Sequence, residues 1–185
     1  ETAPIDAPKA ASILRNRKGV GEAELGLANE MAINQFIAHH SVIFQPEKKR
    51  MWVSTAPWQC GKYVAYDLNR IFSDSIDFNH EIYTENLTVP ADSFLQQQEY
   101  QQLMTYKRLA PVLRKQIKKK ERLDEQTLHA FQHANPHFFY VYELLGDYYH
   151  ATGQQDKALR NWKKALLLPI PKRSESERIE HKINN

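Results

Sequence analysis

The run FIAHHSVIFQPEKKRMWVSTAPWQCGKYVAYDL, Phe36 to Leu68, decides the fold class. Phe36, Ala38, Val42 and Phe44 alternate with His39, Ser41 and Ile43, and His40 interrupts the apolar face. A period of two among β-branched and aromatic residues predicts a half-buried strand. Gln45 to Lys49 supplies a polar turn around Pro46, and Arg50 to Thr55 (RMWVST) returns as a second strand. Pro57 and Gly61 bracket the next turn, and Tyr63 to Leu68 (YVAYDL) is the third strand. Three antiparallel strands are marginal in water until something packs on their apolar face.

Toward the start of the chain, Asp6 is placed to cap a helix from about Ala7, with Ala10, Ala11, Ile13 and Leu14 as its apolar stripe. Arg15 to Gly21 (RNRKGVG) ends it. A second helix is predicted from about Glu22 to Gln35, because Leu25, Ala28, Ala32 and Ile33 sit near helical spacing. Gly26 weakens its middle by about 1 kcal/mol relative to Ala. It is either a point of close backbone approach or a tolerated defect.

Toward the end, Ile71 to Asp92 is polar and rich in turn formers, and reads as a linker or an extended surface excursion. From Ser93 onward the pattern is helical. Ser93 to Lys120 carries Leu95, Leu103, Tyr106, Leu109, Leu113 and Ile117 as its buried stripe, with a kink expected at Pro111. The basic run Arg114 to Arg122 (RKQIKKKER) suits either phosphates or a solvated helix end, where cations face the negative pole of the dipole. Asp124 to Ala134 is a short helix stopped by Asn135 and Pro136.

Next come Tyr142, Leu145, Gly146 and Tyr149, a turn at Gly153, then Ala158, Trp162 and Ala165. This pattern resembles a tetratricopeptide repeat, a pair of antiparallel helices. Small residues at Gly146, Ala158 and Ala165 permit close approach, while Tyr149 and Trp162 fill the volume between. The closing proline comes slightly early, as Pro169. A single repeat cannot bury its own apolar face. Residues 174–185 are expected as a charged capping helix or a frayed tail.

The longer run NEMAINQFIAHHSVIFQPEKKRMWVSTAPWQCGKYVAYDL, Asn29 to Leu68, resembles the later part of the penicillin acyltransferase-like family of N-terminal-nucleophile hydrolases. Ala38-His39-His40-Ser41-Val42-Ile43-Phe44, Met51-Trp52-Val53-Ser54, Gly61-Lys62-Tyr63-Val64 and Asp67-Leu68 carry the likeness. The resemblance implies a layered αββα fold with two sheets between helices. It also implies autoproteolysis exposing a nucleophile, usually Cys, whose own amine serves as base for amide hydrolysis or acyl transfer.

The chain begins Glu1-Thr2, so this nucleophile is expected in a missing N-terminal portion of the same polypeptide. Cys60 sits in a turn and is expected to be structural. The expected fold class is therefore α+β. A partial αββα layer over residues 1–90 precedes a helical region over 91–185, with the tetratricopeptide-like pair at about 139–171.

Composition narrows the function classes. At 42% apolar and 25% charged, the chain can build a core. A net charge of +3 is too small to argue for nucleic acid. One cysteine excludes an internal disulfide and a Cys-based zinc site. No apolar run approaches the roughly 20 residues of a membrane span. An envelope or secreted location would fit a removed upstream signal peptide.

Site candidates are few. Asn29 and Asn34 are the polar groups nearest the meander that could donate to an oxyanion; the plain alternative is that they are helix-surface amides. His39 and His40 fall on opposite faces of a strand, and an inward His40 would line a pocket or be hydrogen-bonded in the core. His129, His133 and His137 have i, i+4, i+8 spacing, but Pro136 breaks the helix before the third and nothing completes a ligand set, so neither metal nor cofactor is assigned. Two functions follow: the C-terminal portion of an autoproteolytic amidohydrolase or acyltransferase, or an interaction module docking a protein partner on the helical tail.

Overall fold

Asp6 caps the first helix, α1 (Ala7–Leu14), by accepting the Lys9 N–H on Oδ1 at 2.8 Å. Pro8 stands in the first turn, where its missing N–H costs no intrahelical bond. In a computed structural model of the chain, residues 5–73, 77 and 79–184 are described. They fall into two units, one of Glu1–Arg17 with Ile33–Gln96, the other of Lys18–Ala32 with Gln97–Asn185. The expected division at residue 90 thus moves to 96, and residues 18–32 go with the helices.

In the first unit, β1 (Val42–Gln45), β2 (Arg50–Ser54) and β3 (Tyr63–Asp67) form an antiparallel sheet in that order. Ile43 lies opposite Trp52, and Trp52 opposite Ala65. On the alternate positions Val42, Val53 and Val64 align, as do Phe44, Met51 and Tyr66. Directly paired residues share a face. One face therefore presents Ile43, Trp52, Tyr63 and Ala65, and the other presents Val42, Phe44, Met51, Val53, Val64 and Tyr66.

The first face is covered. Ala11 of α1 packs with Trp52, Tyr63, Ala65 and Val89, flanked by Ala7, Leu14 and Leu87. The second face has no buried member among its six apolar residues, and Phe44 is 65% exposed.

Two expectations fail before β1. The helix predicted over Glu22 to Gln35 is an irregular segment, with only a single 3₁₀ turn at Val20–Glu22. Gly26 and Ala28 take positive φ, 75° and 69°. The Asn29 side chain accepts the Met31 N–H, and Asn34 that of Phe36, local turns that compete with a helix. The strand predicted from Phe36 starts only at Val42, because Phe36 (φ 53°) turns the backbone before it. The apolar alternation at 36–41 is real but belongs to a loop.

Beyond β3, α2 (Leu68–Ile71) is capped by Asp67, which accepts the Asn69 N–H. In the connection predicted over Ile71 to Asp92, residues 74–76 and 78 lie outside the described residues. The rest is not a free linker. Tyr63 and Val89 exchange both backbone hydrogen bonds at 2.9 Å, Thr84 donates to the Ala65 carbonyl at 2.8 Å, and Trp52 Nε1 donates to the Leu87 carbonyl at 2.8 Å. This segment therefore closes the outer edge of β3.

The second unit holds α3 (Gln98–Lys119), α4 (Glu125–Ala134), α5 (Phe139–Ala151), α6 (Gln155–Leu166) and α7 (Arg173–Asn184). Leu103, Tyr106, Leu109 and Leu113 are the buried stripe of α3, which runs on through Pro111. Asp124 caps α4 through the Thr127 N–H. Between α5 and α6, Ala158 and Ala165 are fully buried, and any Cβ placed on Gly146 would strike the Trp162 indole. Trp162 Nε1 donates to Asp147 at 3.0 Å, which fixes the ring in that position.

Gly146→Leu sets two effects against each other. Leu is the better helix former by roughly 0.5–1 kcal/mol, whereas overpacking costs about 1–3 kcal/mol. Because Trp162 fills the space, urea unfolding should show net destabilisation, well beyond that of Gln155→Leu. A raised melting temperature would mean that the helices do not approach as described.

Candidate functional site

Asn29 and Asn34 are neither helix-surface amides nor free donors. Both are fully buried, each in its own unit. Asn29 Nδ2 donates to the carbonyls of Leu25 (3.0 Å) and Pro169 (3.1 Å). Asn34 Nδ2 donates to Cys60 Sγ at 3.4 Å. With these amide N–H groups committed inside the protein, the two residues hold loops in place. His39 and His40 are both exposed, since the segment that was to carry them on opposite strand faces is a loop. An inward His40 is thereby corrected.

Around Cys60 the first unit builds a polar cluster that sequence reasoning missed. Arg15 lies just past α1, and its guanidinium donates to three carbonyls: Gln59 (3.1 Å), Gly61 (2.7 Å) and Pro90 (2.8 Å). The same group lies over the Tyr63 ring at 5.2 Å. Arg17 pairs with Asp92 at 2.9 Å and stacks on Phe94 at 4.1 Å. Tyr63 in turn shares a short hydrogen bond with Ser41, whose N–H donates to Ser54 Oγ at 2.7 Å.

This chemistry does not activate the thiol. Burial raises the Cys60 pKa, as does the charge of Asp92, and the opposing pull of Asn34, Arg17 and Arg15 does not reverse the rise. A thiol nucleophile must be a thiolate or have a base within reach. Cys60 is fully buried, kept neutral, and bonded to an amide. Its role is structural. Arg15 carries no motif in the sequence, because its value lies in three carbonyls from residues that are distant along the chain.

His129 and His133 stack ring on ring with centroids 3.8 Å apart, and His133 Nδ1 donates to the His129 carbonyl at 2.9 Å. His137 lies beyond the end of α4. Among the described residues, no group of three or more His, Cys, Asp or Glu is placed to hold a metal. Among the same residues, no helix is long and apolar enough to cross a membrane.

Among the described residues, the second unit contains one buried charge. Glu143 is 2% exposed on α5, and Arg178 of α7 grips it with two bonds of 2.8 Å. Lys182, one turn further along α7, bonds both Glu143 (2.8 Å) and Asp147 (2.8 Å). Two i, i+4 pairs on facing helices thus lock α7 to α5, with Ile179 fully buried between the cations. The expected capping helix is present, and Glu143 inside the apolar run VYELLGD was its one sequence signal.

No family model, no curated protein and no solved structure matches this chain.

Burial raises the Glu143 pKa, but the hydrogen bonds and charges of Arg178 and Lys182 outweigh it and hold the carboxyl below its ordinary 4.5. A depressed folded pKa gives stability that is complete above the unfolded value and lost as pH falls through the folded one. Lys182→Met should therefore cost about 1–2 kcal/mol at pH 7. The gap to the native chain should narrow as pH drops below 4.5. Urea titrations from neutral to acid pH measure both, and a gap independent of pH would remove Glu143 from the account.

Proposed function

We propose that this chain is the C-terminal portion of an amide-hydrolysing or acyl-transferring protein of the penicillin acyltransferase-like kind. Its three-stranded sheet would be one layer of an αββα sandwich. The observation that carries this reading is the second sheet face. Val42, Phe44, Met51, Val53, Val64 and Tyr66 are all apolar and none is buried, while the opposite face is already covered by α1. A sheet apolar on both faces is built to be covered on both. In the αββα arrangement that the run Asn29 to Leu68 resembles, helices take one face and a second sheet takes the other.

An open hollow of about 540 Å³ beside β1 and β2 supports the same reading. It is lined by Phe44, Pro46, Leu68 and Phe72, with Lys49 and Arg50 at its polar side. On that face Phe44 is exposed and the other five side chains are half-buried, so apolar area is left for a further layer to cover. Among the described residues β1 pairs with β2 alone, so its outer edge also remains open to a further strand.

In this reading the nucleophile lies outside the 185 residues, since the family resembled uses a Cys at an exposed amino terminus and the one cysteine here, Cys60, is buried and not activated. The chain contributes a sheet layer and its rigid support, not the reacting group. A second reading, a module that docks a protein partner on its helices, is favoured by the close pair at Gly146 and Trp162.

The purified chain should show no turnover of acyl-amide or acyl-thioester substrates, and Cys60→Ala should leave that blank unchanged. The polypeptide as the cell makes it should turn such substrates over after self-cleavage upstream. Turnover by the 185 residues alone, lost on Thr2→Ala or Cys60→Ala, would overturn the proposal.

A further inference from the structure

The helical unit contains a stretch that is not helical. Lys18–Ala32 belongs to this unit although it is distant in sequence, and it has little regular structure of its own beyond the turn at Val20–Glu22. It is nevertheless held tightly. Leu25 and Ala32 are buried and Asn29 is completely so.

The central contact is made by Asn135, just past α4. Its Oδ1 accepts the Leu27 N–H at 2.9 Å, and its Nδ2 donates to the Leu27 carbonyl at 2.7 Å. A side-chain amide here satisfies both backbone groups of one residue, held in a turn between left-handed Gly26 and Ala28, and so grips the backbone irrespective of the Leu27 side chain. Gly26 lies alongside at φ +75°, where an added Cβ would be 2.5 Å from the Phe138 nitrogen. Backbone therefore rests on backbone at that point. The far end is fixed by Asn29 on the Pro169 carbonyl at 3.1 Å and by Glu30 paired with Lys172 at 2.6 Å. Past Ala28 and Glu30 the same groove continues as a hollow of about 380 Å³ lined by Tyr106, Lys107, Arg114 and Tyr140.

We propose that the helical unit is a peptide-binding module whose site is filled in cis by residues 18–32, with Asn135 gripping the backbone at Leu27 and Gly26 permitting the close seat. The module then acts as an internal clasp. A partner in trans reaches it only by displacing this segment. The inference rests on contacts inside the helical unit and does not depend on the acyl-transfer reading.

The test uses the whole chain and a labelled synthetic peptide of native sequence 18–32. Gly26→Leu expels the cis segment but leaves Asn135 and Phe138 intact, so the peptide should bind this variant. It should bind the native chain at least about tenfold more weakly, because the site there is occupied. Adding Asn135→Ala to the variant should abolish capture. In hydrogen exchange, Asn135→Ala alone should speed the amides of residues 23–32 roughly ten- to thirtyfold, as expected for losing two such bonds. Amides of α5 and α6 should keep their protection.

Equal peptide binding to all three chains, or to none, would overturn the proposal. So would unchanged exchange at 23–32 in Gly26→Leu. Loss of protection throughout α3 to α7 on either substitution would make the segment part of the core and defeat the proposal too.

Discussion

A sheet with two apolar faces and one cover is the constraint on which the first unit depends. Trp52 and Ala65 find their layer in α1 and in the segment ending at Val89. On the other face Val42, Met51, Val53, Val64 and Tyr66 are only half-buried and Phe44 is exposed. At about 25 cal/mol per Å² of apolar area, a second layer on that face is a large part of what a small sheet needs to be stable. The buried polar network around Cys60 keeps the unit ordered meanwhile. Arg15 draws the carbonyls of Gln59, Gly61 and Pro90 to one point, tying three separate stretches together without help from the open face.

The helical unit obeys a different logic. Its contacts are mostly local along the chain, its close pair is set by Gly146 against Trp162, and its last helix is locked by Glu143 with Arg178 and Lys182. Such a unit can be rigid by itself. It also takes up a distant piece of chain, residues 18–32. The polypeptide thus passes from the first unit into the helical one, returns for the meander and re-enters the helical unit.

How much of this was legible in the sequence follows from where the signals are local. The β2 and β3 strands, the Asp6 cap and the approach at Gly146 depend on neighbours near in the chain, and each was legible. The helix over 22–35 could not be excluded in that way. Its spacing is helical, but Gly26 must sit on Phe138, and Asn29 and Asn34 prefer to close turns on their own backbone. Of the two readings open for Gly26, close approach is the one the structure bears out, against Phe138, which is distant along the chain. The Cys60 cluster and the Asn135 grip were invisible for the same reason. Each joins groups whose proximity is made by the fold.

The layered account is tested most directly at Met51 and Tyr66, both on the open face. Hydroxyl-radical footprinting should label them readily in the isolated chain. In the polypeptide as the cell makes it, both should be protected, while exposed His39 and His40 are labelled alike in the two preparations. Equal labelling of Met51 and Tyr66 in both would contradict a second layer on this sheet.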